Sequence, residues 1–369
     1  IMIYDRVKEE LLINKKIRED GRYIAIPWPN MPKLSSVIPG IQRSRYIIVT
    51  ANSKVGKTQI GDFLFLYEPL DFLSSHPDAK LKIKIFYFSL EISKEDKILQ
   101  MISNRIFKDY QITISTDNLR SYFNGYILED KLVEIISSYE EYFRWVETVV
   151  EFIDQVRNPY GIYKLIRDYA KTHGKFYKND GTEVIMNNGE NLMYDYYVPN
   201  DPEEQVLIIV DNFNLLQPEK GEDLWSAMHK FSSDYALKIR DNFKYTLIGI
   251  QQQAADQEKQ QFTFKGNSII EKIRPSADGL GDCKLTARDC DLMIGLFAPY
   301  RYKIVTYPIN GGYDINKLKD NYRELSILLN RRGGGNINLD LYFNGAANYF
   351  EELPAPNSKK MIEIYNQLQ

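Results

Sequence analysis

Residues 46–58, with the sequence YIIVTANSKVGKT, decide the fold of this 369-residue chain. The first five residues are β-branched or aromatic and predict a strand, and the pattern after Thr58 predicts a helix to about Tyr67. A strand, a loop that ends in Gly-Lys-Thr and a helix form the context of a phosphate-binding loop. Gly-Lys-Ser/Thr alone arises by chance about 0.2 times in a chain of this length, so the flanking elements carry the prediction.

The residue types of this loop predict ATP and Mg²⁺ as its ligands. Gly56 lets the backbone approach the phosphates, Lys57 supplies a positive charge to the β and γ oxygens, and Thr58 supplies a hydroxyl to magnesium. The alternative is a surface turn with an incidental lysine, and the first motif position is Ala51 instead of glycine. The residues predicted to contact nucleotide are Ser53, Lys54, Val55, Gly56, Lys57, Thr58 and Gln59.

A second element, VLIIVD at residues 206–211, ends an apolar strand in a carboxylate. An acid in this position is the magnesium-side residue of P-loop enzymes, so Asp211 is predicted to share the metal with Thr58. The alternative is an aspartate that caps the turn before Asn212.

Other apolar runs alternate with helical patterns along the chain. Helices are predicted at 94–107 and 224–242, and further strands at 81–90, 245–250, 292–297, 325–329 and 337–343. Continuous apolar strands separated by helices favour an α/β fold with a mostly parallel central sheet, flanked by helices and ending in a C-terminal β-hairpin.

The same pattern predicts the domain organisation. Residues 1–42 form an N-terminal helix and a proline-rich linker, 43–352 the ATPase domain, and 353–369 a C-terminal tail. Residues 108–204, rich in Tyr, Asn and Asp, are predicted to be helices and a loop inserted between two core strands.

Bulk composition excludes several classes of protein. The net charge of −3 excludes a uniformly basic nucleic-acid binder, although a ring with a positive central channel stays compatible with it. Two cysteines are too few for a disulfide framework and predict a reducing, cytoplasmic setting, in a bacterium or a phage-infected host. The sequence contains no run of eighteen apolar residues and no signal-peptide core, so no membrane partner is predicted.

Several segments resemble the RecA-like ATPase domain of DnaB-type replicative helicases, in the family's order from about Ile38 to Phe350. FYFSLEIS at 86–93 resembles the family's Ser-Leu-Glu-Met motif. In this family the loop before Gly-Lys-Thr often begins with alanine, as Ala51 does here. The further similar segments are VDNFNLL at 210–216, IGIQQ at 248–252, residues 281–292, and LNRRGG at 329–334.

The resemblance implies roles for three more residues. Glu91 would polarise the attacking water, Gln251 would sense the γ-phosphate, and Arg332 would reach the nucleotide of a neighbouring subunit as an arginine finger. The alternatives are an acid at a helix start, an exposed loop glutamine and an arginine on a hairpin surface.

The resemblance also implies a DNA channel lined by residues 251–274, with phosphate contacts from Lys259, Lys265, Lys272 and Arg274. The alternative is a solvated loop. Two departures from the family are Asn330 in place of the hairpin lysine and Asn212 in place of a tyrosine. The family's separate N-terminal helical domain has no counterpart in the forty residues before the core, which is typical of a divergent, phage-encoded relative.

The leading functional hypothesis is an ATP-dependent DNA helicase that hydrolyses ATP at the subunit interfaces of a hexameric ring. It would translocate on single-stranded DNA with a primase or a loader as partner. One alternative is a RecA-like ATPase that acts in recombination or remodelling without unwinding. Another is a module that uses nucleotide only to stabilise an assembly.

Overall fold

The computed structural model describes residues 3–185, 193–254, 263–264, 267–268, 273–308, 311–334 and 337–368. The strands are β1 (Tyr46–Ala51), β2 (Lys82–Ser89), β3 (Val150–Ile153), β4 (Gly174–Tyr177), β5 (Glu183–Val184), β6 (Tyr196–Pro199), β7 (Glu204–Asp211), β8 (Thr246–Gln252), β9 (Thr263–Phe264), β10 (Asn267–Ser268), β11 (Leu292–Phe297), β12 (Thr306–Tyr307), β13 (Tyr313–Asp314), β14 (Tyr322–Asn330), β15 (Asn338–Asn344) and β16 (Tyr349–Glu352).

Helices connect these strands. They are α1 (Ile3–Glu19), α2 (Pro32–Ser35), α3 (Lys57–Asp62), α4 (Glu68–Ser75), α5 (Lys94–Tyr110), α6 (Thr116–Leu119), α7 (Asp130–Ser138), α8 (Glu140–Val149), α9 (Pro159–Thr172), α10 (Leu224–Lys230), α11 (Leu237–Asn242), α12 (Leu285–Asp289), α13 (Ile315–Leu318) and α14 (Lys359–Gln367). A π-helical segment, Phe63–Tyr67, joins α3 to α4, and another, Phe231–Ala236, joins α10 to α11. No helix in the described ranges is both long enough and apolar enough to cross a membrane.

The central sheet has the strand order β16-β15-β14-β11-β1-β8-β7-β2-β3 within the described residues. The six strands β11, β1, β8, β7, β2 and β3 are parallel to one another. On the other side of β11, the strands β14, β15 and β16 are added in antiparallel pairs. The predicted mostly parallel sheet and the predicted C-terminal hairpin, β14 with β15, are therefore confirmed. This arrangement is the RecA-like α/β fold.

Both faces of the sheet are covered, as the continuous apolar runs predicted. In β1, Ile47 and Val49 belong to the core on one face, whereas Tyr46 and Ile48 belong to the core on the other. Successive side chains of a strand point to opposite faces, so a strand buried on both sides needs an apolar residue at nearly every position.

Parallel pairing brings four strand ends together. Ala51 pairs with Gln252, Ile250 with Asp211, and Asp211 with Ser89. The carboxyl ends of β1, β8, β7 and β2 consequently lie at one edge of the sheet, where parallel α/β folds bind their ligands.

Gly249 keeps this edge compact because a larger residue would collide with the turn that follows β7. A Cβ atom at Gly249 would lie 2.3 Å from the ring of Phe213, which is fully buried. The absence of a side chain therefore lets the segment after Asp211 pack directly on β8.

The segment 108–204 differs from the prediction of helices and a loop between two core strands. Val150–Ile153 forms strand β3, which adds to the central sheet in parallel beside β2. Residues 174–177, 183–184 and 196–199 form a separate three-stranded antiparallel sheet. The sequence VEFI has only four residues, too few to be distinguished from the amphipathic helix α8 that precedes it.

The two terminal segments pack differently. In the predicted linker, Ile26, Trp28 and Met31 join the main core, and the Trp28 Nε1 donates to the carbonyl of Leu64 at 2.8 Å. Helix α14 packs through buried Met361 and Tyr365 onto the segment around Tyr313. Helix α1, in contrast, has no buried residue.

Candidate nucleotide-binding site

The phosphate loop connects the end of β1 to the start of α3. Gly56 has φ +107° and caps the helix that begins at Lys57, and Lys54 also has a positive φ, of 57°. The first backbone N–H groups of a helix have no partner within the helix, so this end of α3 offers donors to an anion.

Two arginines hold the outer side of the loop. The Arg323 Nε donates to the carbonyl of Val55 at 2.7 Å, and Arg301 donates to the carbonyl of Ser53. Burial lowers the pKa of Arg323 to about 10, so its guanidinium is still charged at neutral pH. Because the arginines bind these carbonyls, they help to fix the loop in one conformation. The sequence pattern did not identify either residue.

The loop forms one wall of a cavity of about 570 Å³. Its volume is in the range of small-molecule sites, 300–1,000 Å³. The lining residues are Ser53, Lys54, Gly56, Lys57, Thr58, Gln59, Glu91, Ile92, Gln100, Asp211, Asn212, Asn214, Leu215 and Gln252. The structure thus brings most of the predicted site residues together, whereas Val55, Gln251 and Arg332 do not line this cavity.

Thr58, in the first turn of α3, contacts Asp211, the last residue of β7. The Thr58 Oγ1 donates to the Asp211 Oδ1 at 2.9 Å. A hydroxyl and a carboxylate are hard oxygen donors, and a P-loop magnesium ion takes its remaining ligands from water and phosphate. The two residues therefore fit a magnesium ion whose other ligands are phosphate and water.

Behind Asp211 lies a buried charged network that the sequence analysis did not anticipate. The Lys97 Nζ is 2.7 Å from Asp62 Oδ2 and 3.3 Å from Asp211 Oδ2. The Tyr87 hydroxyl is 2.6 Å from Asp62 Oδ1 and 3.1 Å from Asp211 Oδ2. The sequence does carry one sign of these residues. Asp62 and Lys97 each place a charge at a helix position that the apolar pattern assigns to the buried face.

These groups influence each other's ionisation. Burial alone lowers the pKa of Lys97, but the charges of Asp62 and Asp211 together outweigh it, and the net pKa is raised. Burial raises the pKa of Asp62, and the charge of Lys97 opposes that shift. Burial also raises the pKa of Tyr87, so its hydroxyl keeps its proton and donates. Lys97 is therefore a cation at neutral pH.

Glu91 lies two residues past the end of β2 and is exposed at the cavity. The Asn212 Nδ2 donates to the Glu91 Oε2 at 2.9 Å. This contact holds the carboxylate at the cavity that the phosphate loop also lines. Asn212, the residue that replaces the family's tyrosine, is thus a neighbour of the predicted water-polarising acid.

The predicted sensor, Gln251, faces away from the cavity, and this prediction needs correction. Its side chain is fully buried, and its Nε2 donates to the carbonyls of Gly281 and Cys283 at 2.8 and 2.9 Å. Its Oε1 accepts from Thr286 at 2.6 Å. The next residue, Gln252, lines the cavity instead, because alternate residues of a strand point to opposite faces.

A pair of substitutions tests this assignment. Gln252→Ala is expected to lower ATP turnover about 10–100-fold with unchanged thermal stability, because it removes a polar contact at the phosphates. Gln251→Ala is expected to cost about 1–3 kcal/mol of stability, because it leaves buried polar groups unpaired. Phosphate-release kinetics and thermal denaturation of both variants measure these effects. A large turnover loss confined to Gln251→Ala would contradict the assignment.

Arg332 lies at the amino-terminal ends of the parallel strands, whereas the phosphate loop lies at their carboxyl ends. Asn330 pairs with Leu292, the first residue of β11, and the Arg332 Nη2 donates to the carbonyl of Ser44, just before β1. A strand with the length of β1 spans about 20 Å, so Arg332 is too far to reach its own chain's phosphate loop.

The predicted DNA contacts are only partly covered by the described residues. Lys259, Lys265 and Lys272 lie outside them. Arg274 is described, and its guanidinium donates to the buried Glu324 and to the Ser326 Oγ, the latter at 3.2 Å. In this structure Arg274 is therefore bound in an internal ion pair, and its contact with DNA phosphates stays a prediction.

The sheet, the phosphate loop and the acid at the end of β7 define a P-loop protein of RecA-like fold. The chain is similar to the ATPase domain of G40P, with a TM-score of 0.63 and 16% identity over 94% of this chain and 98% of that one. It is also similar to a DnaB-like replicative helicase whose structure was described with its interactions with primase. That match has a TM-score of 0.61 and 16% identity over 93% of this chain and 67% of the helicase.

These similarities concern the fold. No protein-family model matches the sequence, and no curated protein is significantly similar to it. The chain therefore has the fold of a DnaB-type helicase ATPase domain.

Proposed function

We propose that this protein is an ATP-dependent DNA helicase of the DnaB type, which works as a ring on single-stranded DNA. The observation that carries the proposal is the convergence of Lys57, Thr58, Asp211 and Glu91 on one cavity. Each group has the chemistry that phosphoryl transfer to water requires, and all four stand at the carboxyl ends of parallel strands.

The residues divide the work of hydrolysis. Lys57 and the loop N–H groups bind the β and γ phosphates of ATP, and Thr58 with Asp211 holds the magnesium ion. When bound, that ion neutralises charge on the phosphate oxygens. Glu91, held by Asn212, accepts a hydrogen bond from the attacking water and orients it. Gln252 takes the sensor position beside the γ-phosphate.

The position of Arg332 supports a site that is shared between subunits. Because this arginine lies at the sheet edge opposite the phosphate loop, a head-to-tail neighbour would bring the two edges together. Repetition of such a contact produces a ring when the rotation between subunits closes. We propose that this ring is a hexamer. Arg332 of one subunit would then stabilise charge on the nucleotide of the next.

DNA contact is assigned to the segment after Gln252, which contains Lys259, Lys265 and Lys272. A backbone held by a few lysines in each of several subunits is compatible with the slightly negative net charge of the chain. A primase or a loader would be a further partner.

One observation favours a second candidate, a RecA-like ATPase that remodels DNA or a DNA–protein complex without unwinding it. Arg274, one of four basic residues expected in the DNA channel, is engaged by Glu324. A weaker grip on DNA phosphates would suit transient association better than processive translocation.

The proposal is tested by ATP hydrolysis with and without single-stranded DNA, at about 50 and about 200 mM salt, with the chemically inactive Lys57→Ala chain as background. The expected result is stimulation by DNA that falls steeply at the higher salt. Strand displacement on a forked duplex is measured in parallel. Stimulation without displacement would favour the remodelling ATPase, and no response to DNA would contradict both.

A further inference from the structure

The ion pair between Lys97 and Asp62 sits directly behind the magnesium-side acid. Lys97, Asp62 and Tyr87 are each at most 1% exposed, so their charges interact without screening by bulk water. Burying such a pair is costly and is seldom justified by stability alone. Its position therefore points to a role in the neighbouring site.

The network accounts for both oxygens of Asp211. The Oδ2 lies within hydrogen-bond distance of Lys97 and Tyr87, and the Oδ1 accepts from Thr58. With both oxygens engaged, the carboxylate has one orientation, in which the Oδ1 faces the cavity.

The charges of the network also matter. Asp62 and Asp211 contribute two negative charges and Lys97 one positive charge, so the group carries a net charge of −1. Without Asp62, Lys97 would neutralise Asp211 by itself. The shorter contact of Lys97 is with Asp62, which leaves the charge of Asp211 available to a cation.

We propose that Lys97 and Asp62 are positioning residues for Asp211: Lys97 fixes the carboxylate, and Asp62 balances Lys97 so that Asp211 still attracts Mg²⁺. This inference rests on the proposed nucleotide site and adds to it a pair of residues from α3 and α5. The ion pair thereby links α3, which follows the phosphate loop, and α5, which contributes Gln100 to the cavity, to the proposed magnesium position.

The test is the Mg²⁺ concentration that gives half-maximal binding of a fluorescent ADP analogue, measured by titration without turnover. Asp62→Asn is expected to raise that concentration about tenfold, since it removes one unit of negative charge close to the ion, and to leave binding without Mg²⁺ unchanged. The double variant Asp62→Asn with Lys97→Met restores the net charge of −1 and is expected to return the value to within about threefold of wild type, and the remaining increase reflects the lost Lys97 contact that fixes Asp211.

A control separates this effect from the loss of an ion pair elsewhere in the fold, here a partly buried one. Asp71 bonds Arg105 at 3.0 Å and Lys108 at 2.5 Å and makes no contact with Asp211. Asp71→Asn is expected to lower stability and to leave the Mg²⁺ concentration unchanged. If Asp62→Asn does not fold, Asp62→Ser carries the same expectation, since it removes the same charge and leaves room for a water molecule.

Several outcomes overturn the inference. An Asp62 variant that folds and needs the same Mg²⁺ concentration as wild type would contradict the inference. A double variant that needs as much Mg²⁺ as the single variant would contradict it too. Failure of both Asp62 variants to fold beside a folded double variant would assign the pair to the fold alone. If the wild-type chain itself shows no Mg²⁺-dependent binding, the proposed function fails along with the inference.

Discussion

Glu91→Gln is expected to bind ATP with wild-type affinity and to lose about 10²–10⁴-fold in turnover. The carboxylate stands at the cavity beside the phosphate loop, and Asn212 holds its Oε2 at 2.9 Å. Glutamine keeps the size of the side chain and removes the negative charge that orients the water. Single-turnover phosphate release and equilibrium nucleotide binding, measured on the same preparation, separate the two effects.

Glu95→Gln is the control for that result. Glu95 lies in the first turn of α5, is exposed and does not line the cavity. Its replacement should leave both measurements unchanged. Normal turnover of Glu91→Gln would assign the water-positioning role to another residue.

Arg332→Ala is expected to lower turnover about 10³–10⁵-fold, the usual contribution of an arginine finger. The loss should be reversed in part by mixing with Glu91→Gln subunits. Each inactive subunit then supplies what the other lacks, and in an equal random mixture about a quarter of the interfaces regain both residues. Hydrolysis measured across mixing ratios should rise above either variant alone.

Arg331→Ala controls for the general loss of a basic residue in this hairpin. Arg331 is the neighbour of Arg332 in the same hairpin, is exposed like it, and likewise donates to a backbone carbonyl, that of Arg288. Its variant should hydrolyse ATP at close to the wild-type rate. Mixtures that show no more activity than their components would argue against a site shared between subunits.

Much of the fold could be predicted because its strands have a strong signature. A strand buried on both faces must be apolar at nearly every position, and β1 and β7 satisfy this requirement. Strand β3 was missed because it is an edge strand of four residues with an exposed glutamate at Glu151. Such a segment carries too few residues to establish a period of two.

The residues of the site could be predicted only in part, for a similar reason. Lys57, Thr58 and Asp211 are fixed by a loop and by a strand end, which the sequence marks clearly. The choice between Gln251 and Gln252 depends on which face of β8 meets the cavity, and a shift of one residue reverses it. Lys97 and Asp62 are 35 residues apart in sequence and lie on different helices, so no local pattern could predict that they pair.

We expect the loop at residues 51–58 to bind Mg²⁺–ATP for hydrolysis. The most direct measurement is phosphate release from ATP by the full chain in the presence of single-stranded DNA, with Mg²⁺ and with excess EDTA, beside the Lys57→Ala variant. Release is expected to require Mg²⁺ and to disappear in Lys57→Ala, while that variant keeps the wild-type circular dichroism spectrum. Absence of release by the wild type, or equal release by a folded Lys57→Ala chain, would contradict it.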